Sequence, residues 1–219
     1  MRLLLVASDP REFAGIRRRC RSRGPEARLA GHQLRLAARG VGERCAAAAV
    51  DDALDFRPEA LVSTGFCGAL DSRLRIADIV VAREVRATDG RCYPARTVPG
   101  AMHCALCTLD HVARLAEEKR QLAACGFGAV DMEAAGVAAR ALALGLPFYC
   151  IRAVTDLAME DMVNDFNRAL TPDGHFDTMK LLRDACRSPL ARIPELLRLR
   201  KRSVRAARAL GDFFADCRF

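Results

Sequence analysis

Apolar runs that suit β-strands alternate along the chain with segments in which apolar residues recur at helical spacing. The predicted strands are residues 2–7, 34–38, 60–64, 76–85, 103–109, 128–131 and 148–154. The predicted helices are residues 11–21, 42–54, 109–124, 132–144, 176–186 and 194–214. Strands that alternate with helices are typical of an α/β domain with a largely parallel central sheet.

Two runs, residues 60–62 and 148–151, are apolar without alternation, as expected for strands that are covered on both faces. The chain has 219 residues and shows no linker or internal repeat. We therefore expect a single domain over residues 1–219, in which residues 188–219 form a basic amphipathic C-terminal helix.

Composition narrows the class of protein. Hydrophobic residues make up 51% and charged residues 28% of the chain, which is the balance of a globular protein. No apolar run approaches the roughly 18 residues that a membrane span needs, and the apolar opening, residues 1–7, is too short for a secretory signal. We expect a cytoplasmic protein whose ten cysteines are reduced thiols. The cluster of His103, Cys104 and Cys107 lacks further ligands at zinc spacing, so it is interpreted as an apolar strand and no metal is predicted.

Positive charge is concentrated near the C-terminus. Residues 186–219 contain nine lysines and arginines against three acidic residues, which gives +6 of the formal net charge of +8. The chain has two tyrosines and no tryptophan for base stacking, so a nucleic-acid partner is not expected. We interpret the C-terminal helix as packed on the domain with a solvated cationic side. The alternative is that it also contacts anionic lipid or a bulky amphiphilic substrate.

Four polar clusters follow predicted strands, which is where ligands bind in open α/β sheets. Asp156 ends an apolar strand, and shielding from water penalises its charged form, so that it can hold and donate a proton near neutral pH. Glu133 is followed by small and apolar residues, which predicts a buried, hydrogen-bonded carboxylate. Structural roles for both acids remain alternatives. The clusters are residues 8–12 (SDPRE), 64–68 (TGFCG, a predicted glycine turn), 130–135 (VDMEAA) and 152–156 (RAVTD).

A family resemblance rests on these clusters and their order. Residues 130–138 (VDMEAAGVA), 146–148 (LPF) and 152–156 (RAVTD) resemble a signature of the purine nucleoside phosphorylase / methylthioadenosine–adenosylhomocysteine nucleosidase superfamily. Residues 64–70 (TGFCGAL) and 74–81 (LRIADIVV) resemble its other signature block. The resemblance implies a three-layer α/β/α fold with a twisted mixed central sheet, usually in a homo-oligomer. It also implies cleavage of the bond between a ribosyl C1 and a base nitrogen.

The resemblance also implies roles for individual residues. Asp156 is the general acid that protonates the departing base, and Glu12 orients the attacking water. Glu133 binds the ribose hydroxyls, and Met132 forms an apolar floor under the sugar. The other substrate-binding residues implied are Arg11, Thr64, Gly65, Phe66, Gly68, Arg152 and Thr155.

The chain departs from the family pattern at the phosphate site. Ser63 and Phe66 stand where phosphorylases usually carry phosphate-binding groups. The adjacent Arg11 and Glu12 combine the phosphate-contacting residue of the phosphorylases with the water-orienting residue of the hydrolases. A slight preference for hydrolysis follows. No metal or organic cofactor is implied, and phosphate stays open as a co-substrate.

A second departure is the length of residues 85–126, a segment that walls the base and the 5′ substituent and that is shorter here than is usual. With residues 131–133 and the cationic C-terminal helix, this is similar to the hopanoid-associated branch, whose members release adenine from an adenosyl group on a triterpenoid. We expect cleavage of an adenine-type purine nucleoside. A lipid-linked adenosyl substrate and a catalytically silent nucleoside- or lipid-binding protein are the alternatives.

Overall fold

A computed structural model describes residues 1–20 and 24–219 of the chain. Its strands are β1 (Arg2–Ala7), β2 (Glu26–Leu29), β3 (His32–Ala38), β4 (Ala60–Ala69), β5 (Ile79–Ala87), β6 (Cys92–Pro94), β7 (Met102–Thr108), β8 (Phe127–Asp131) and β9 (Phe148–Asp156). Its α-helices are α1 (Ala14–Cys20), α2 (Glu43–Asp51), α3 (Ala116–Ala124), α4 (Ala134–Leu144), α5 (Phe166–Ala169), α6 (Thr178–Arg187) and α7 (Pro189–Asp216).

The first strand shows how the layers form. Side chains of a strand alternate between the two faces of the sheet. Leu4 and Val6 pack with α2 and α4 on one face, whereas Leu3 and Leu5 pack with α1 and α7 on the other. All four side chains are buried. The prediction of a three-layer α/β/α fold is therefore confirmed.

The sheet is mixed, as the family resemblance implied, and not largely parallel, as the alternation of elements alone suggested. Parallel pairing runs from β3 through β1 and β4 to β9. Five strands then close on themselves, because β9 pairs antiparallel with β5, β5 and β7 pair parallel, β7 and β8 pair parallel, and β8 returns antiparallel to β4. The two antiparallel contacts of this closed arrangement, β9 with β5 and β8 with β4, join strands that are distant in sequence, so the local pattern does not contain them.

The structure corrects several predicted boundaries. The predicted glycine turn at residues 64–68 is part of β4, which continues to Ala69. Residues 109–115 are not helical, and α3 begins only at Ala116. The predicted helix 11–21 is split into a 3-10 turn (Pro10–Phe13) and α1, and Arg21 lies outside the described residues. The short elements β2, β6 and α5 were not predicted, because three or four residues carry too little periodicity.

The C-terminal helix α7 is partly packed and partly exposed. Ala207 and Leu210, two of the apolar residues whose spacing predicted this helix, are buried. Ala206 and Phe214 are buried as well, and they pack with α1 and the sheet. Leu190 and Val204, two of the apolar residues in its pattern, are instead exposed, Leu190 by 94%. They lie on the side of the helix that faces away from the domain. Among the described residues, no helix is both long and apolar enough to cross a membrane.

Candidate active site

A cavity of about 280 Å³ forms where the polar clusters of the sequence meet. Asp156 and Glu133, the two acids on which the proposed chemistry depends, both line it. The remaining lining comes from the turn after β1, from β4, from the β7–α3 loop, from the end of β8, from the end of β9 and from the segments that follow it. Its main members are Ser8, Glu12, Phe66, Cys67, Gly68, His111, Asp131, Met132, Thr155, Met162, Phe166, Phe176 and Leu199.

Arg152 lies beneath the cavity and organises its acidic side. Its side chain is fully buried in β9 and forms ion pairs with Asp131 and, at 3.4 Å, with the Glu133 Oε2 atom. It also donates hydrogen bonds to the carbonyl of Thr64 at 3.0 Å and to the Ser63 Oγ atom at 2.8 Å. Burial disfavours its charge, but the nearby Asp131 and Glu133 carboxylates raise the pKa of Arg152 above its usual value. Arg152 is therefore a permanent cation that balances two buried acids.

Glu133 is positioned by the start of α4. It directly precedes the helix, and its Oε1 atom accepts a hydrogen bond from the Gly42 backbone N–H at 3.3 Å. Burial raises the pKa of Glu133 to about 8, against the opposing effect of Arg152. The predicted buried, hydrogen-bonded carboxyl group is what the structure contains.

Glu12 is held in place by four hydrogen bonds. Its Oε2 atom accepts from the Ser8 backbone N–H at 2.8 Å, from the Ser8 hydroxyl at 2.9 Å and from the Asp9 N–H at 3.1 Å. Its Oε1 atom accepts from the Phe66 N–H at 2.8 Å. Burial raises the pKa of Glu12, while Arg152 and these hydrogen bonds oppose the shift. The carboxyl group is thus fixed in orientation at the cavity wall.

Asp156 is the last residue of β9 and is buried. Its Oδ2 atom accepts a hydrogen bond from the Lys119 ammonium at 2.6 Å, and its Oδ1 atom accepts one from the Thr155 hydroxyl at 3.2 Å. Burial raises the pKa of Asp156, although Lys119 opposes that shift. Burial therefore favours the protonated form of this carboxyl group.

Two glycines of β4 make room for these acids. A Cβ atom on Gly65 would lie 2.6 Å from the Glu12 Oε1 atom, and Gly65 has a φ of +122°. A Cβ atom on Gly68 would lie 2.8 Å from the Asp156 Oδ2 atom. The sequence predicted that the glycines let a ligand approach the backbone. The structure shows Gly65 against the Glu12 carboxyl group and Gly68 against the Asp156 carboxyl group. Gly68 also lines the cavity, and close approach of a ligand to this backbone stays a prediction.

The structure brings most of the predicted site residues together. Met132, Glu133, Thr155, Asp156, Glu12, Phe66 and Gly68 line the cavity. Four others do not line it. Thr64, Gly65 and Arg152 lie behind the lining, and the Arg11 side chain is 89% exposed and pairs with Asp9 at 2.7 Å. The roles assigned to all of these residues stay predictions.

Sequence reasoning missed three polar residues of the site. Asp131 was quoted only as part of a motif, yet it joins Arg152, the Thr108 hydroxyl and the Ala134 N–H. Ser8 was not singled out as a partner of Glu12. Lys119 gave no signal, because Lys119 stands in a run of charged residues that is typical of a solvated helix face.

The predicted apolar strand around His103 is confirmed as β7, which also contains Cys104 and Cys107. The His103 ring contacts the Val98 carbonyl at 2.8 Å. All ten cysteines are free thiols. Within residues 1–20 and 24–219, no group of three or more histidine, cysteine or acidic side chains is arranged to hold a metal ion.

A comparison with protein families agrees with the fold and the acidic cavity. A family model described as the phosphorylase superfamily matches residues 15–117 and 104–175, which together are more than half of the chain. The chain therefore belongs to the phosphorylase superfamily. The prediction of an enzyme that cleaves N-glycosidic bonds is confirmed at this level.

Individual relatives narrow the comparison. The chain is 30% identical over 175 residues to the 5′-methylthioadenosine/S-adenosylhomocysteine nucleosidase of Bacillus cereus (strain B4264), covering 65% of this chain and 76% of that protein. It is 27% identical over 180 residues to the corresponding nucleosidase of Tolumonas auensis, with the same coverage of 65% and 76%.

Solved structures share the fold. The nucleosidase of Campylobacter jejuni matches with a TM-score of 0.72 and 15% identity, over 99% of this chain and 97% of that chain. The futalosine hydrolase of Helicobacter pylori matches with a TM-score of 0.71 and 14% identity, over 97% and 95% of the two chains.

Proposed function

We propose that this protein is a nucleosidase that hydrolyses the N-glycosidic bond of an adenine-type nucleoside. The observation that carries the proposal is the convergence of three buried carboxyl groups, those of Asp156, Glu133 and Glu12, on one cavity. The names of the Bacillus cereus and Tolumonas auensis relatives, both nucleosidases of adenosine derivatives, support an adenine-type base.

Asp156 acts as the general acid. Cleavage leaves a cationic, oxocarbenium-like sugar and a base that carries the electron pair of the broken bond, so the departing base needs a proton. Burial raises the pKa of Asp156, which supports a protonated carboxyl group near neutral pH. The O–H bond of Asp156 breaks as an N–H bond forms on the base, and the carboxylate remains.

Glu133 and Met132 receive the sugar. Carboxyl oxygens accept hydrogen bonds from ribose hydroxyl groups, and these bonds strengthen as positive charge develops on the sugar. Arg152 lies 3.4 Å from the Glu133 Oε2 atom and holds this carboxyl group from beneath. The group therefore needs little rearrangement when the transition state forms.

Water fits this cavity better than phosphate as the nucleophile. Among the described residues, the lining contains no lysine or arginine, so a phosphate dianion would meet like charge wherever the carboxyl groups are ionised. Arg11 pairs with Asp9 and is exposed, and the Ser63 hydroxyl is used by Arg152. Glu12, fixed by its four hydrogen bonds, orients the water and takes up the proton that the water loses as its oxygen bonds to the ribosyl C1. The carboxyl groups of the lining are those of Glu12, Asp131, Glu133 and Asp156.

The apolar part of the lining supports an apolar 5′ substituent on the nucleoside. Met162, Phe166, Phe176 and Leu199 contribute it, and the two phenylalanine rings pack edge to face at 5.9 Å. Apolar walls of this kind favour a ligand with little polar surface to desolvate. Among simple substrates, we expect 5′-methylthioadenosine to be cleaved more efficiently than adenosine.

The experiment is the release of free adenine from 5′-methylthioadenosine and adenosine, measured with and without phosphate. The unsubstituted protein is expected to release adenine and free sugar at a rate that phosphate does not change. Asp156→Asn removes the acid proton while it preserves the shape of the side chain. It is expected to lower kcat by about 100-fold or more, whereas Asp52→Asn, at an exposed carboxylate paired with Arg39, leaves kcat unchanged.

Three results would contradict parts of this proposal. Full turnover by Asp156→Asn would remove the assigned acid. A sugar 1-phosphate product would make the protein a phosphorylase. Saturable nucleoside binding without base release at any phosphate concentration would favour the catalytically silent alternative.

For the C-terminal helix we propose contact with an anionic lipid surface. Leu190, Leu197 and Val204 are exposed and lie seven residues apart, so they share one face of α7. Lys201 and Arg205 are exposed beside them. An apolar face flanked by cations is typical of helices that lie in a membrane interface. This surface supports the lipid-linked substrate as the second candidate, because Leu199 and Ser203 of the same helix line the cavity.

A further inference from the structure

Lys119 is a buried charged residue to which the proposed chemistry gives no role. It belongs to α3, where its neighbours Glu117 and Arg120 are exposed, yet its own side chain is 0% exposed. Burying an ammonium group is costly unless its charge and all its protons are satisfied. A buried lysine at one position of an otherwise solvated helix therefore points to a specific partner.

That partner is the proposed general acid. The Lys119 Nζ atom lies 2.6 Å from the Asp156 Oδ2 atom, 2.9 Å from the Leu157 carbonyl and 3.5 Å from the Glu160 carbonyl. An ammonium group has three protons to donate, and these three oxygens account for them. Lys119 itself does not line the cavity, so it can affect the substrate only through Asp156.

The other groups around Asp156 leave Lys119 as its direct cationic partner among the described residues. On β4, Cys67 is a buried thiol and Gly68 presents no side chain. On β9, Thr155 donates its hydroxyl to the Oδ1 atom. Glu160 faces the same region, but its charge is balanced by Arg202 at 2.5 Å and Arg198 at 3.3 Å from α7.

We propose that Lys119 is a positioning residue for protonation of the departing base, an inference that rests on the proposed function. The Lys119 ammonium fixes the orientation of the Asp156 carboxyl group through the Oδ2 atom. It also stabilises the carboxylate that remains after Asp156 has given its proton to the base. Because Lys119 does not line the cavity, the proton that reaches the base comes from Asp156 alone.

The two effects of the site on Asp156 act in opposite directions. Burial raises the pKa of Asp156 and favours its protonated form, whereas Lys119 opposes this shift and makes release of the proton less costly. A general acid is most effective when its pKa is close to the working pH. The lysine thus keeps a buried carboxyl group from holding its proton too tightly.

The test compares Lys119→Met, which removes the charge and keeps the length of the side chain, with Lys119→Arg, which keeps the charge. Arg120→Met on the exposed side of α3 is the matched control. Each protein is assayed over pH with 5′-methylthioadenosine and with a 7-methylpurine nucleoside. The base of the second nucleoside is already cationic and can leave without taking a proton.

Lys119→Met is expected to lower kcat for 5′-methylthioadenosine by about 10- to 100-fold, with KM changed by less than about threefold. The alkaline limb of its pH profile moves to higher pH, because Asp156 without the ammonium holds its proton more tightly. For the 7-methylpurine nucleoside, the kcat of Lys119→Met is expected to stay within about threefold of that of the unsubstituted protein, and the same is expected for Asp156→Asn. Lys119→Arg restores most of kcat and the position of the limb, and Arg120→Met leaves both unchanged.

An unchanged pH profile in Lys119→Met, or an equal loss with both nucleosides, would overturn the role of Lys119. If Lys119→Met does not fold, Lys119→Arg decides, since a folded arginine variant with a displaced alkaline limb would also overturn it. The proposed function fails separately, if the unsubstituted protein releases no base from either nucleoside. If Asp156→Asn is selectively impaired and Lys119→Met is not, only the inference on Lys119 fails.

Discussion

Glu133 is buried beside the permanent cation Arg152, and burial raises the pKa of Glu133 to about 8. An ordinary glutamate titrates near 4.5. Between these two pH values, Glu133 is protonated to a greater extent in the native protein than in the unfolded chain, because burial penalises its charged form. The stability that this group contributes is therefore fully present below about pH 4.5 and is lost as the pH rises toward 8.

Replacing Glu133 by glutamine removes this titration and keeps a similar shape. The free energy of unfolding of Glu133→Gln is expected to fall less between about pH 5 and about pH 8 than that of the unsubstituted protein, by on the order of 2 kcal/mol. Urea unfolding followed by circular dichroism at several pH values measures the difference. Glu117→Gln, at an exposed site, is the control, and parallel stability curves for Glu133→Gln and the unsubstituted protein would contradict the raised pKa.

The candidate site was predictable from sequence where an acid ends an apolar run. Asp156 stands at such a position, whereas Glu133 was predicted from the small and apolar residues that follow it in α4, and both line the cavity. Lys119 was not predictable in this way, because its partner lies 37 residues away. Asp131 does end the apolar run of β8, but its role was missed because its partner Arg152 lies on a different strand. Arg11 was assigned to the site from the family motif, but its side chain is exposed and forms an ion pair with Asp9. The local sequence pattern does not show which distant segments of the chain contact each other.

At the scale of elements, α7 holds the loop that follows Asp156. Glu195 of α7 is 2% exposed, and its carboxylate accepts hydrogen bonds from the Val163 N–H at 2.8 Å and the Asn164 N–H at 2.7 Å. The Asn164 side chain donates to the same carboxylate at 2.6 Å. Met162 of this loop lines the cavity. The helix therefore stabilises one wall of the site from outside.

Glu195→Ala leaves the Val163 and Asn164 donors without their acceptor. The expected loss is about 2 kcal/mol in the free energy of unfolding, with faster amide hydrogen exchange over residues 157–165 and a raised KM. Hydrogen exchange with mass spectrometry and steady-state kinetics measure these effects. Glu117→Ala on α3 is the matched control, and unchanged exchange in Glu195→Ala would show that the loop does not depend on α7.

Element prediction succeeded for long, strongly apolar segments and failed for short or polar ones. The centres of β1, β4 and β9 were predicted because burial on both faces gives continuous apolar runs. The start of α3 was placed seven residues too early, since residues 109–115 have helix-compatible composition but follow a loop into the cavity. The closed arrangement of five strands could not be derived from the order of elements along the chain.

At the scale of the whole molecule, charge and apolar exposure coincide on α7. Residues 186–219 carry +6 of the formal net charge of +8. Pro194, Leu197, Lys201 and Arg205 border a shallow depression on this helix. A surface of this kind attracts an anionic interface by charge and can bury its leucines there.

The protein is expected to sediment with vesicles that contain phosphatidylglycerol and not with vesicles of phosphatidylcholine alone. The double variant Leu190→Ser with Leu197→Ser is expected to lose this association, whereas Leu142→Ser, at an exposed leucine of α4, keeps it. No difference between the two vesicle types would contradict lipid contact. Sedimentation without vesicles that the double variant abolishes would assign the same surface to contact between copies of the chain.

The strand that carries Asp156 has hydrogen-bonded neighbours on both sides, β4 and β5. Displacing its backbone would break two ladders at once, whereas the wall formed by the segments after β9 depends on hydrogen bonds of single side chains, those of Glu195 on α7 and of Asn167 with the β7–α3 loop. The cavity thus has one rigid wall, formed by β9, and one deformable wall, formed by the segments after β9. Substitutions in the deformable wall therefore change which molecules enter the cavity, while Asp156 keeps its position at the end of β9.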